Sequence, residues 1–251
     1  MDPTDVRADL AARAAGGPDA MAISPAATPP GTAAILAGIS ASYFRLRRGL
    51  AIVAFAFPIV LAIGAGGVLQ GSISAYYHYS RFACSPGGAC PAGGGTMRDV
   101  FVGALWMIGS FLLFYRGYSR AEDRVLNVAG LTAVAISLSP MDWPAAAAAT
   151  LRGRIHGTSA VVFFLCIAYV AIFRARDTTV LLDDARRSTF TAIYRTLGAL
   201  MVVLPLGAVA LHLLLPNPQS RVILGIEVSG IYVFAAFWLV KSREIALIEG
   251  R

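Results

Sequence analysis

Long apolar runs separated by arginines dominate this chain of 251 residues. From Gly49 to Ser80 there is no Asp, Glu, Lys or Arg, and about 20 apolar residues in a helix suffice to cross a bilayer. Five more apolar runs follow: Val100–Tyr115, Val125–Met141, Gly157–Phe173, Thr196–Leu215 and Val222–Val240, the last of which contains Glu227. Only 14% of the residues are charged, against about 25% in soluble domains. The pattern predicts an all-α, polytopic transmembrane bundle of six helices.

The segments that flank these runs are less apolar. Residues 1–44 are rich in Ala, Pro and Gly, and they are predicted to form a flexible cytoplasmic N-terminal tail without a signal peptide. Residues 45–243 form the predicted six-helix transmembrane domain, and residues 244–251 form a C-terminal tail. The last four residues match the recognition sequence of a site-specific protease that is commonly added to recombinant proteins, so we infer no function from them.

The basic residues are divided unequally between the two sides of the predicted bundle. With the N-terminus inside, 16 of the 21 Lys and Arg residues fall in inner segments and 5 in outer segments. The positive-inside rule therefore predicts that both termini of this multi-pass chain are cytoplasmic. The net charge of +7 comes from scattered arginines, which favours membrane lipids over nucleic acid as partners.

The cysteines and glycines of the chain give two further expectations. Cys84 and Cys90 lie in the glycine-rich outer loop 81–98, where an oxidising compartment would favour a disulfide, whereas Cys166 lies inside an apolar run and is expected in the core. Four glycines within the runs are expected to allow close helix packing: Gly103, Gly109, Gly130 and Gly207.

All three histidines fall at the outer ends of the predicted spans. Ser74 and His78 are four residues apart, so they share a face if their segment is α-helical, and Asp99 begins the second span. The same side also holds His156, His212, Asp142 and Glu227. The acids of the inner loops, in contrast, are expected to cap helices and pair with nearby arginines.

Three imidazoles beside a carboxylate match the needs of a catalytic zinc site, in which three protein ligands hold the metal and water takes the fourth position. His78, His156 and His212 are the predicted ligands. Bound zinc lowers the pKa of its water to about 7. Asp99 is the predicted base or second-shell partner of that water, and Ser74 could bind a developing oxyanion.

Several motifs carry a resemblance to known proteins. A resemblance to a group of bacterial multi-span membrane proteins of unknown function is carried by Ser72–His78, Met97–Gly103, Tyr115–Tyr118, Ile155–Ala160 and Phe237–Lys241. This resemblance implies a multi-pass protein of a bacterial inner membrane. More distantly, Ser-x-x-x-His followed by Asp on the next helix is similar to the CREST superfamily, which includes alkaline ceramidases and adiponectin-type receptors.

That distant resemblance implies zinc-dependent hydrolysis of lipid amides, although the superfamily has seven spans and six are predicted for this chain. Ser74, His78 and Asp99 match the superfamily's Ser, His and Asp, and His156 matches the first histidine of its later His-x-x-x-His pair. Residue 160 is alanine instead of the second histidine, and His212 is the candidate to replace it.

Three functions therefore stay open from the sequence. The first is a zinc-dependent membrane hydrolase acting on a lipid or an amphipathic amide. The second is a non-enzymatic lipid-binding, sensing or complex-subunit protein with a hydrogen-bonded polar cluster. The third is a haem-binding electron carrier with histidine as an axial ligand.

Overall fold

The computed structural model describes residues 30–79, 97–142, 150–214 and 221–250. The chain divides into two compact units, Met1–Ser42 and Tyr43–Arg251. Of the first unit the structure describes residues 30–42, which are helical and largely exposed. The predicted disulfide between Cys84 and Cys90 lies outside the described residues, as do most of the predicted N-terminal tail and the side chain of His212.

The described residues are nearly all helical, and none of them lies in a strand. In chain order they are α1 (Pro30–Gly64), α2 (Arg98–Phe114), α3 (Arg120–Leu138), α4 (Leu151–Tyr169), α5 (Arg176–Thr179), α6 (Asp184–Leu214) and α7 (Arg221–Ile248). A 3-10 turn (Ser74–His78) lies between α1 and α2, and a π-turn (Val170–Arg174) joins α4 to α5. The all-helical fold predicted from the sequence is confirmed.

Four of the helical segments in the described chain are long and apolar enough to cross a membrane. They are Ala34–Gly64, Leu151–Thr179, Asp184–Leu211 and Arg221–Ile248. Large apolar side chains such as Ile52, Phe55 and Val203 are exposed on these helices. A soluble surface rarely exposes so much apolar area, so these helices have the length and composition of membrane spans.

Helix α1 ends at Gly64, although the apolar run that contains it continues without a charged residue to Ser80. Gly66 and Gly67 both have positive φ, of 70° and 81°. The N–H of Gly67 bonds to the carbonyl of Ala62 at 2.9 Å, and the N–H of Gly66 bonds to that of Ile63 at 2.8 Å. This is the Schellman termination of a helix. Ser74 and His78 therefore lie beyond α1, in a separate 3-10 turn.

Two helices extend past the boundaries drawn from the sequence. Helix α1 begins at Pro30, within the segment predicted to be a tail, and α7 continues to Ile248, within the predicted C-terminal tail. The side chain of Glu244 is completely buried there, and Ile245 and Ala246 are buried beside it. The last turns of α7 are therefore part of the packed bundle.

Two glycines, Gly109 on α2 and Gly130 on α3, allow these helices to pack closely. A Cβ on Gly109 would lie 2.9 Å from the carbonyl oxygen of Gly130, and a Cβ on Gly130 would lie 2.8 Å from that of Gly109. The expectation of close packing is confirmed for these two glycines. It is wrong for Gly103 and Gly207, around which a Cβ would meet nothing within 4 Å.

Aromatic side chains fill the centre of the bundle around Trp238 on α7. Its ring lies 5.2 Å from that of Tyr115 and 5.6 Å from that of Phe111, in edge-to-face geometry. The rings of Phe234 and Phe237 contact it from its own helix. Edge-to-face ring pairs add to the free energy of burial, so Trp238 ties α7 to the end of α2.

Replacing Gly109 with alanine should destabilise the bundle. The added methyl group meets a backbone carbonyl that cannot move without separating α2 from α3, and overpacking of this kind costs about 1–3 kcal/mol. The unfolding temperature in detergent measures the effect. Gly157→Ala is the matched control, since a Cβ at Gly157 meets nothing within 4 Å. Equal unfolding temperatures for the two variants would contradict the close contact.

Candidate functional site

The segment between α1 and α2 is held in place by a carboxylate from α7. Glu227 accepts hydrogen bonds from the Ser72 hydroxyl at 2.8 Å and from the backbone N–H of Ile73 at 2.7 Å. The Ser72 hydroxyl oxygen in turn accepts the N–H of Ser74 at 3.1 Å. Glu227 therefore fixes the start of the 3-10 turn, and with it the position of Ser74.

Two tyrosines close the same segment onto its own backbone. The Tyr79 hydroxyl donates to the carbonyl of Ala65 at 2.8 Å, and the Tyr76 hydroxyl donates to that of Val68 at 3.2 Å. Tyr76 is fully buried, and burial raises the pKa of its phenol. The hydroxyls of both tyrosines thus satisfy carbonyls that accept no helical hydrogen bond.

Ser74 and His156 form a direct contact between the 3-10 turn and α4. The Ser74 Oγ lies 2.8 Å from Nε2 of His156, and Nδ1 of His156 lies 2.8 Å from the carbonyl oxygen of Ser139. A carbonyl oxygen can only accept, so Nδ1 carries the imidazole hydrogen. Nε2 of the neutral ring is then an acceptor, and the Ser74 hydroxyl donates to it.

His78 has a different partner from Ser74. Its Nε2 donates to the carbonyl oxygen of Met141 at 2.9 Å, and its side chain is exposed. The sequence predicted one shared face, which holds for an α-helix with 3.6 residues per turn. A 3-10 turn has 3.0 residues per turn, so residues four apart point in different directions. The prediction of a shared Ser74–His78 face is therefore wrong.

The carboxylates predicted near the site lie at separate positions. The side chain of Asp99 is 86% exposed and lies 3.6 Å from Nε of Arg98, its neighbour in sequence. Asp142 accepts the hydroxyl of Thr150 at 2.6 Å and the N–H of Thr150 at 2.9 Å, and these bonds hold the pKa of Asp142 below its ordinary value. Asp142 therefore orders the start of α4, while Asp99 faces open space.

The structure describes the side chains of two of the three predicted zinc ligands. Both ring nitrogens of His156 are engaged in hydrogen bonds, so this histidine has no free lone pair for zinc in the described arrangement, whereas His78 donates from Nε2 and keeps the lone pair of Nδ1. No group of three metal-binding side chains converges within the described part of the chain. The side chain of His212 lies outside that part, so its role as a third ligand stays a prediction.

Removing the Glu227 carboxylate should loosen the 3-10 turn. Glu227→Ala leaves the buried N–H of Ile73 without its acceptor, which costs about 1–3 kcal/mol. Glu227→Gln keeps one acceptor oxygen and should lose less. The unfolding temperature in detergent measures both. Ser229→Ala is a control on the same helix, because the Ser229 hydroxyl bonds only within its own helix. An unchanged unfolding temperature for Glu227→Ala would contradict the anchoring role.

A second polar cluster lies at the opposite end of the helices. Lys241 on α7 donates to Oε2 of Glu244 at 3.0 Å and to the hydroxyl of Thr178, and the hydroxyl of Tyr194 donates to the same Glu244 oxygen. Nζ of Lys241 also lies 5.2 Å from the ring centre of Tyr118. Lys241 and Glu244 are 3% and 0% exposed, so the ion pair is desolvated. We call these five residues the Lys241 cluster.

Buried groups of other helices adjoin the Lys241 cluster. Arg47 on α1 is 2% exposed and donates from Nη1 to the Tyr118 hydroxyl at 2.7 Å. Burial raises the pKa of Tyr118. Glu122 accepts the N–H of Tyr118 at 2.9 Å, while the hydroxyl of Ser119 accepts the N–H of Glu122. The pattern resembles a capping box, but the carboxylate accepts the N–H of the residue before the N-cap, Ser119. It confirms the expectation that an acid of this loop caps a helix.

Sequence reasoning missed the Lys241 cluster. Lys241 is the single lysine of the chain, and Glu244 follows it at the i,i+3 spacing of helical ion pairs. That signal was present, but Glu244 fell beyond the drawn end of the last apolar run. The buried tyrosine partners come from other helices, and spacing along the chain could not have identified them.

The Lys241–Glu244 pair should tolerate joint removal better than single removal. Lys241→Met alone leaves Glu244 as a buried charge without its cation, which costs about 3–5 kcal/mol in comparable pairs. The double variant Lys241→Met with Glu244→Leu removes both charges and should recover most of that loss. Unfolding in denaturant measures the three proteins. A double variant less stable than either single variant would contradict this account.

Comparisons with known proteins do not assign the site. The chain matches no protein-family model, no curated protein and no solved structure.

Proposed function

We propose that this chain is a membrane hydrolase in which Ser74 is the nucleophile and His156 is the general base. The observation that carries the proposal is the 2.8 Å contact between Ser74 Oγ and His156 Nε2, with the imidazole held by the Ser139 carbonyl. A serine activated by an adjacent imidazole, which a third group orients, is the recurring arrangement of acyl-transfer enzymes. The substrate class is an ester or amide of a membrane lipid.

The proposed reaction uses only these two side chains and water. The Ser74 proton moves to Nε2 of His156 as Oγ attacks the acyl carbon, and the imidazolium then gives that proton to the leaving alcohol or amine. In the second half, Nε2 takes a proton from water while the water oxygen attacks the acyl carbon. The proton returns to Oγ as the bond between Oγ and the acyl carbon breaks, which releases the carboxylic acid.

The membrane orientation follows from the distribution of arginine. In the proposed topology all six long helices cross a bacterial inner membrane, with both termini and the Lys241 cluster on the cytoplasmic side. Ser74 and His156 then lie near the outer surface, close to the level of lipid headgroups and acyl linkages. Both residues come from non-adjacent segments of the chain, and Glu227 positions the serine through Ser72.

Labelling with a fluorophosphonate probe tests the proposal on the full chain in native membranes. The probe should modify the wild-type protein at Ser74, and peptide mapping should locate the adduct. Labelling should be lost in Ser74→Ala and fall steeply in His156→Asn, while Ser229→Ala stays labelled. A protein that folds but reacts no faster than Ser74→Ala would overturn the assignment of Ser74 as nucleophile.

A non-catalytic role is the second candidate, and the hydrogen-bond pattern supports it. Both nitrogens of His156 and one nitrogen of His78 form hydrogen bonds that link the segment after α1, the end of α3 and the start of α4. In this alternative the polar residues only brace the helix ends, and the protein binds lipid without changing it. It predicts that Ser74→Ala lowers the unfolding temperature and that the serine is unreactive towards the probe.

A further inference from the structure

A groove along the outer part of α2 has the features of a lipid-binding site. It is about 500 Å³ in volume and opens between α2 and α3. Its main lining residues are Arg98, Asp99, Val102, Gly103, Trp106 and Leu138. Pockets that hold drug-sized ligands have volumes of roughly 300–1,000 Å³, and the volume of the groove lies within this range.

The lining changes from charged to apolar along the helix. Arg98 and Asp99 lie at the start of α2, whereas Trp106 lies eight positions later, about 12 Å deeper at a rise of about 1.5 Å per residue. The Trp106 side chain is 44% exposed and Leu138 is 63% exposed. A phospholipid has the same gradient, from a charged headgroup to acyl chains, over a similar depth.

The charges at the entrance are of opposite sign and adjacent. Nε of Arg98 and a carboxylate oxygen of Asp99 are 3.6 Å apart, and the Asp99 side chain is 86% exposed. An anion alone would be attracted by Arg98 and repelled by Asp99, and a cation alone would meet the reverse. A headgroup with a phosphate and an ammonium group can pair with both.

Gly103 leaves room for the bound molecule. A Cβ at this position would meet nothing within 4 Å, so the floor of the groove between Val102 and Trp106 is open. Tyr77, which also lines the groove, comes three residues after Ser74, and three residues complete one turn of a 3-10 helix. The groove therefore adjoins the Ser74 and His156 pair.

We propose that this groove binds one zwitterionic phospholipid of the phosphatidylethanolamine type. Arg98 pairs with the phosphate, Asp99 pairs with the ammonium group, and the acyl chains lie over Val102, Trp106 and Leu138. The proposal that the groove binds this lipid does not depend on catalysis by Ser74. Only the statement that this lipid is the substrate of Ser74 rests on the proposed function.

Native mass spectrometry of the detergent-solubilised full chain tests the binding. Each protein carries Ser74→Ala to prevent turnover, and it is incubated with phosphatidylethanolamine, phosphatidylglycerol or diacylglycerol. The parent should retain one phosphatidylethanolamine in preference to the other two. Adding Gly103→Phe fills the groove and should weaken the retention of phosphatidylethanolamine about tenfold or more. Gly157→Phe is the matched control, because Gly157 is equally open but lies on α4.

The two charges give opposite signatures. Asp99→Asn should abolish the preference for phosphatidylethanolamine over phosphatidylglycerol, whereas Arg98→Gln should weaken retention of both phospholipids. These variants decide the question even if Gly103→Phe fails to fold. No preference in the parent, or equal retention by Gly103→Phe and Gly157→Phe, would overturn the proposal. Gly103→Phe is also made without Ser74→Ala for the labelling assay; lost lipid retention together with unchanged fluorophosphonate labelling of Ser74 upholds the groove independently of catalysis.

Discussion

The geometry of the candidate site depends on how the hydrogen-bonding groups of the non-helical backbone after α1 find partners. Once Gly66 and Gly67 end α1, the chain up to the 3-10 turn has N–H and carbonyl groups without helical partners. Lipid offers no hydrogen bonds, so such groups must find partners within the protein. Glu227 and the hydroxyls of two tyrosines provide them. The contact between Ser74 and His156 exists because this segment is held against α7 and α4.

Polar side chains hold the helix ends in place at both ends of the bundle, but the two ends use different kinds of interaction. At the Ser74 end, hydroxyls, an imidazole and backbone carbonyls make mostly neutral hydrogen bonds around one carboxylate. At the other end, a desolvated ion pair and a buried guanidinium are surrounded by tyrosine rings and hydroxyls. Buried ion pairs seldom add stability compared with apolar packing, although losing one partner is costly. The Lys241 cluster therefore favours one arrangement of the helix ends more than it strengthens the fold.

Hydropathy predicted the helices because a membrane span needs a long apolar run, and charged residues mark its ends. The end of α1 was missed for a local reason: charge counting ignores the pair of glycines that adopt positive φ. The sequence named Ser74 and His156 as members of one site, but it assigned them zinc chemistry. Their direct hydrogen bond depends on the register of a 3-10 turn against α4, and no spacing rule supplies that register. Arg47 and Tyr194 were missed since their burial arises from helices far apart in sequence.

The π-turn that joins α4 to α5 has a consequence for the direction of the side chains after it. The N–H of Ala175 bonds to the carbonyl of Val170, five residues earlier, so the turn contains one residue more than an α-helix would. An extra residue rotates everything downstream by about 100° around the helix axis, given about 3.6 residues per turn. This rotation presents Thr178 to Lys241 instead of turning it to another side. Deleting one residue in this turn would restore a regular helix and turn Thr178 away from Lys241 without replacing any residue of the Lys241 cluster.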